Sequence, residues 1–167
     1  IPSEVKTAIG ISAPCNLLSS SIEIHKRKNI IYAKRFLSTL VDKMKQKEYL
    51  HSESITRDYK SIRTLKDFDD KFTAPLNGFK DAVDYWEKCS CGKYISGTAI
   101  PTLILNAKDD PILGEECFPY SEAVSNRNLY LEVPEKGGHM GFITFSSYGE
   151  FWHETRTVEF SEEFYKR

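Results

Sequence analysis

Thr102-Leu103-Ile104-Leu105-Asn106-Ala107-Lys108-Asp109-Asp110-Pro111-Ile112 is an apolar run that ends in two adjacent acids. One helix-and-strand unit later comes Gly137-Gly138-His139-Met140-Gly141-Phe142, a histidine set among glycines. A short apolar run bounded by turn residues reads as a strand buried on both faces, the kind found in parallel sheets. Open α/β sheets place their sites on loops at the carboxyl ends of such strands. The two stretches therefore predict a carboxylate and an imidazole brought together at one end of a parallel sheet. Asp and His are two members of a nucleophilic triad. In the chain order Ser, Asp, His, the third member belongs upstream, on a strand–Gly-x-Ser-x-Gly–helix turn. The sequence contains no such motif.

Working outward, the pattern from Ile100 onward is α/β: strand Thr102–Asn106, helix Glu115–Val124, strand Leu129–Val133, the His139 loop, and an amphipathic helix from about Tyr148 to Tyr165. Val5–Ser12 reads as a further buried strand running to Ala13-Pro14, with Gly10 marking a close approach of another backbone. Cys15-Asn16-Leu17 then leads to a turn at Ser19, Ser20 and Ser21. From about Ile22 to Tyr94 the patterns are helical. Ile30, Ala33, Phe36, Leu37, Leu40, Val41 and Met44 recur at three- and four-residue steps and mark one face of a helix. Lys34, Arg35, Asp42, Lys43 and Lys45 fall on its solvated side. Thr64, with Asp67 three residues on, is a capping signal for a second helix. The stretch Thr73–Phe79 breaks that helix, which resumes through Ala82, Val83, Tyr85 and Trp86. A helical block this long between strands is an insertion or lid rather than a simple crossover. The organisation expected is residues 1–21 as a core strand and its exit loop, 22–97 as the helical insertion, and 98–167 as the carboxy-terminal core.

The 167 residues suffice for a real core, and 40% hydrophobic with 28% charged residues is ordinary for a globular protein. A net charge of −1 gives no bulk attraction for nucleic acid or an anionic membrane. No apolar run approaches the roughly 20 residues that span a bilayer. Cys15, Cys89, Cys91 and Cys117 lack zinc-ligand spacing and read as reduced thiols, which points to the cytoplasm. The chain starts at Ile1 rather than methionine, so a preceding segment is expected to have been removed or left out.

Several motifs in one order carry a resemblance over nearly the whole chain: Ile11-Ser12-Ala13-Pro14-Cys15-Asn16-Leu17; Arg63-Thr64, Phe68-Asp69, Phe72-Thr73-Ala74-Pro75-Leu76 and Gly78-Phe79; Asp84-Tyr85-Trp86; Ala107-Lys108-Asp109-Asp110-Pro111; and Gly137-Gly138-His139 with Gly141-Phe142. They resemble the carboxy-terminal half of the α/β-hydrolases of the embryogenesis-associated, YheT-like branch. The resemblance implies a partial α/β-hydrolase fold of about three parallel strands with flanking helices and a large helical lid. It also implies an esterase- or lipase-like serine hydrolase acting on small ester or lipid-like substrates. The family's nucleophilic serine sits on an elbow just before the strand at Val5–Ser12, and an upstream loop supplies an oxyanion-hole amide. This sequence contains neither position. The expectation is a chain that supplies acid and base and is inactive by itself.

His139 is the candidate base, with Gly137 and Gly138 allowing a tight backbone path. For the acid there are two neighbours, and the family pattern assigns the role to Asp110, leaving Asp109 as a turn or capping acid. Both acids bracketing the imidazole is the other arrangement, with only one as its close partner. Ser12 and Cys15 lie near a strand end but lack elbow glycines, so neither is favoured as a replacement nucleophile. Phe72, Pro75, Leu76, Phe79 and Met140 are the candidate substrate-binding residues, with packing inside the lid as the competing role. His25, His51 and His153 read as surface or helix residues. A triad requires no metal or organic cofactor. The resemblance places three strands side by side, leaving the first with an open edge. That edge is expected to pair with the missing amino-terminal half or with a second copy in a homodimer. Two further readings stay open: a catalytically inactive binding or assembly module derived from the fold, and a haloacid or thioester chemistry on the same scaffold.

Overall fold

A computed structural model describes residues 1–47, 58–143 and 149–165. The chain divides into two compact units, residues 1–15 with 91–167 and residues 16–90.

The first unit is built on a parallel sheet in the order β1-β2-β3, with β1 at Ala8–Ile11, β2 at Thr102–Leu105 and β3 at Leu129–Glu132. Ala8 pairs with Thr102, and Thr102 in turn with Leu129, so the three strands end level. Alternation of side chains across the pleat splits the apolar residues between the two faces. On one face Ile104 and Leu129 pack with Cys15 and Ile95, and with Ala13, Ala123 and Leu131 around them. Ile95 belongs to helix α6 (Gly92–Ile95) and Ala123 to helix α7 (Tyr120–Ser125). On the other face Leu105, Ala107 and Phe142 pack with Ile11 and Trp152. There helix α8 (Trp152–Tyr165) sets Phe160 and Phe164 against Tyr130, with centroids 5.2 and 5.6 Å apart. The fork of Arg156 on α8 grips Glu132 at the end of β3, with Nε–Oε1 at 2.8 Å and Nη2–Oε1 at 2.7 Å.

Every regular element among the described residues of the second unit is a helix or helical turn. Helix α1 (Leu17–Ile24) runs through the serines that the sequence suggested as a turn. Its start is stabilised by Asn16, whose side chain accepts a hydrogen bond from the Ser19 amide at 2.9 Å. Helix α2 spans Ile30–Lys47. Leu37, Leu40, Val41 and Met44 of its apolar stripe cover a core of Ile62, Phe68 and Phe72, joined by Tyr59 and Leu76. Ile30 and Phe36 from the same stripe are instead exposed.

Helix α3 (Leu65–Phe68) begins with the capping box expected at Thr64 and Asp67. Thr64 Oγ1 accepts from the Asp67 amide at 3.1 Å, and Asp67 Oδ2 accepts from the Thr64 amide at 2.9 Å. The helix does not break at Thr73. It widens through a π turn at Asp69–Thr73 and continues as α4 (Ala74–Leu76), stopping at Asn77 and Gly78. Pro75 has no amide to donate, so widening the turn just before it relieves the clash that a proline imposes on a regular helix. Asp69 secures the widened turn, accepting from Thr73 Oγ1 at 2.6 Å and from Trp86 Nε1 at 2.8 Å, the latter on helix α5 (Ala82–Cys89).

Other boundaries also move. The first strand keeps only Ala8–Ile11, and Gly10 meets the Ala13 side chain at an ordinary 3.5 Å from a notional Cβ, with no backbone close by. The helix expected at Glu115–Val124 divides into a 3₁₀ turn, Glu115–Cys117, and α7. Pro119 causes the division, because it holds the preceding Phe118 in extended conformation. His51 and Tyr148 lie outside the described residues. Among the described residues, no helix is long and apolar enough to cross a membrane.

Candidate active site

The site grows from the level ends of β2 and β3. Beyond β2, Asn106 and Lys108 extend the parallel register by donating to Glu132 and Pro134 carbonyls at 3.1 and 2.9 Å. The chain then turns, the Asp110 amide donating to the Ala107 carbonyl at 3.2 Å. Asp110 Oδ1 accepts from the Ile112 amide at 2.8 Å, a local Asx turn that fixes the carboxylate's rotation. Its other oxygen, Oδ2, lies 2.9 Å from His139 Nδ1. The Asp110 side chain is fully buried, whereas that of His139 is 36% exposed. A buried acid on Nδ1 favours the tautomer protonated there and leaves Nε2 as the ring's basic nitrogen.

Asp109 performs a different task. Its Oδ1 accepts from the Gly137 and Gly138 amides at 2.9 and 2.8 Å. The two acids thus divide the loop between them: Asp109 holds its backbone and Asp110 holds the ring. The arrangement in which both acids bracket the imidazole does not occur.

Three further residues shape the loop. Ser12 follows β1 with φ of 51°, is buried, and donates from Oγ to the His139 carbonyl. Its hydroxyl is thereby committed to the backbone rather than to the ring. Asn106 is fully buried and clamps the two neighbouring loops, donating from Nδ2 to the Ala13 and Cys117 carbonyls at 3.0 and 2.8 Å while its Oδ1 accepts from the Ala13 amide at 2.9 Å. Phe142, at φ 40° and buried, closes the turn by donating its amide to the Gly137 carbonyl at 2.8 Å. Sequence reading missed all three: Ser12 and Asn106 act across strand ends far apart in the chain, and Phe142 closes its turn at a positive φ that its residue type does not announce. An asparagine ending an apolar strand was the one available signal, because so polar a side chain there needs buried partners.

Gly137 and Gly138 differ in their reasons for being glycine. A Cβ on Gly137 would lie 2.7 Å from both the Ala107 Cβ and the Phe142 ring. Gly138 has open space but adopts φ of 58°. Gly137→Ala should therefore displace the loop and destabilise the protein by about 2 kcal/mol, with loss of the His139–Asp110 contact. Gly138→Ala should cost only about 1 kcal/mol of backbone strain. Urea titration of both variants, with the His139 ring resonances followed by NMR, checks the order.

The remaining sequence candidates fall as follows. Phe72 is wholly enclosed in the helical core, stacked on Tyr59 at 5.7 Å and tilted on Phe68 at 5.1 Å. Leu76 packs on the same core, and Pro75 is exposed beside it. Phe79 is half-buried against Tyr85 at 5.4 Å. Met140, next to the candidate base, is exposed. His25 is a tie between helices, with Nδ1 2.7 Å from the Ser21 carbonyl and Nε2 accepting from the Leu65 amide at 3.2 Å. His153 is not a surface residue: it is buried on α8 between the rings of Phe142 and Phe151.

Level parallel strands present a buried aspartate and a partly open histidine in contact on successive loops, and the chain belongs to the α/β-hydrolase family. It is 32% identical to the putative esterase YheT of Escherichia coli (strain K12) over 91% of its own length and 46% of that protein. It is 31% identical to an abhydrolase domain-containing protein of Dictyostelium discoideum, over 93% of the chain and 40% of the relative. The figure for a monoacylglycerol lipase of Saccharomyces cerevisiae is 29%, over 97% and 37% respectively. The chain thus spans less than half the length of these relatives. No family model and no solved structure matches it.

Proposed function

We propose that the chain supplies the acid and base of a carboxylic-ester hydrolase, with Asp110 and His139 in those roles and the nucleophilic serine on a segment preceding Ile1. The observation that carries this reading is the 2.9 Å contact between the buried Asp110 carboxylate and His139 Nδ1. The names of the relatives, an esterase and a monoacylglycerol lipase among them, support the reaction class and an ester or lipid-like substrate.

In this reading His139 accepts the serine proton at Nε2 as the hydroxyl attacks the ester carbonyl. It then returns that proton to the departing alcohol, and repeats the exchange with water to release the acid. Asp110 holds the ring in its Nδ1-protonated tautomer and stabilises the imidazolium formed in each half-reaction. Asp109 positions the loop. Met140, exposed beside His139, is retained as a substrate-contacting residue, whereas Phe72 is assigned to packing. Among the described residues β1 pairs with β2 alone, and in this reading its open edge takes a strand of the nucleophile-bearing segment.

The test is labelling with a fluorophosphonate, comparing the 167-residue chain with a form extended upstream of Ile1 in its reading frame. Labelling of the extended form alone, lost in its His139→Ala variant, supports the assignment. Absence of labelling from both forms overturns it and favours a binding module on a hydrolase scaffold.

A further inference from the structure

Cys15 and Cys91 stand far apart in sequence but together in the sheet unit. The Gly92 amide donates to the Cys15 carbonyl at 2.9 Å, which pins the two backbone segments side by side. That pairing sets the Cys15 and Cys91 side chains next to each other, each thiol shifting the acidity of the other. Their environments are opposite: Cys15 is buried in the core with Ile95, Ile104 and Leu129, whereas Cys91 is exposed. The contact also separates their acidities. A hydrogen bond from the Cys15 thiol draws the Cys91 thiol down to about 7, so that near neutral pH much of it is thiolate. The same contact, with burial, pushes the Cys15 thiol well above its usual range. No disulfide joins any of the four cysteines.

An exposed thiolate backed by a buried thiol in contact with it is the arrangement of an oxidisable cysteine with its resolving partner. We propose that Cys91 and Cys15 form a modification site for hydroperoxides, in which Cys91 is oxidised and Cys15 converts it to an intramolecular disulfide. The Cys91 thiolate attacks one oxygen of the hydroperoxide and the O–O bond breaks. The leaving oxygen departs as water or an alcohol after taking up a proton. Cys91, having lost two electrons, is then a sulfenic acid. The Cys15 sulfur attacks the Cys91 sulfur, the S–O bond breaks, and the hydroxide leaves as water with the Cys15 proton. Oxidation removes the Cys91 charge that held the Cys15 proton in place, so the resolving thiol becomes easier to ionise once it is needed. The product closes a covalent ring around residues 16–90, and a dithiol reductant reopens it.

The experiment treats the fully reduced protein with a small excess of hydrogen peroxide, blocks remaining thiols with N-ethylmaleimide, and maps the digest by mass spectrometry. The expected product is a linked peptide pair containing Cys15 and Cys91, two hydrogens lighter than the separate peptides and absent after dithiothreitol. In the Cys15→Ser variant, Cys91 should be captured by dimedone as the sulfenic acid. Linkage of Cys15 to Cys117, a Cys89–Cys91 bridge, or oxidation of Cys91 to sulfinic acid without any bridge would each overturn the proposal. The wild-type mapping decides the matter even if the buried Cys15 does not tolerate replacement.

Discussion

His139→Ala in the upstream-extended protein should lower kcat/KM for a p-nitrophenyl ester by roughly 10⁴-fold or more, with little change in melting temperature. The ring is partly exposed and its loop is held by other groups, namely Asp109 on the Gly137 and Gly138 amides and Ser12 on the His139 carbonyl. Its removal therefore takes away the proposed proton carrier without removing the scaffold. Asp110→Asn should cost on the order of 10³- to 10⁴-fold, because an amide on Nδ1 no longer favours the tautomer with Nε2 free. The loss should fall on kcat rather than KM, since neither group is assigned to substrate binding. Asp109→Asn is the informative comparison. It weakens a charge-assisted grip on two amides, so it should lower activity by a smaller factor and increase loop exchange. Retention of full activity by His139→Ala would remove the histidine from the mechanism altogether.

The second large effect concerns stability. Phe72→Ala should destabilise the helical unit by about 3–5 kcal/mol, the range for truncating a fully enclosed aromatic residue. Phe72 touches Tyr59 and Phe68 and lies in the cluster that anchors the buried face of α2. Nothing small can close over the void, because Leu37 and Leu40 are held on α2. Phe72→Leu should cost considerably less by refilling most of the space. Urea unfolding followed by far-ultraviolet circular dichroism gives both values. A loss below about 1 kcal/mol for the alanine variant would mean that Phe72 is not a core residue, and would restore its candidacy as a substrate contact.

The meeting of Asp110 with His139 was legible because it depends on local chemistry. The β-branched, turn-bounded run from Thr102 to Leu105 reads as a buried strand, and parallel neighbouring strands bring the acid after it and the histidine among glycines after the next to the same end of the sheet. The Thr64–Asp67 capping box was legible for the same reason, both partners lying within one helical turn. What escaped reading depends on contacts between distant segments or on competition between neighbours. Ser12, Asn106 and Asp109 act on backbone groups belonging to other loops, and a side chain's partner for a backbone amide leaves no trace in periodicity. Ser19 to Ser21 looked like a turn by composition, but one capping asparagine sufficed to start a helix. Phe36 obeys the helical repeat and yet stays exposed, since periodicity marks a stripe without saying how much of it a neighbour covers. The π turn before Pro75 is a compromise between helix continuation and a missing amide, and only the packed structure shows which side prevails.

The level ends of β1 and β2 have a kinetic consequence. Strands β2 and β3 are joined through a short excursion containing a 3₁₀ turn and α7, but Ala8 finds Thr102 only after the whole of residues 16–90 has been looped out. Closure entropy grows slowly with loop length, yet non-local parallel pairing still ranks among the slowest steps available to a chain of this size. Helical contacts within residues 16–90 and the β2–β3 pair can assemble from local encounters. Docking β1 has the greatest closure entropy to overcome in the sheet, and with it the Ser12 hydroxyl reaches the histidine loop.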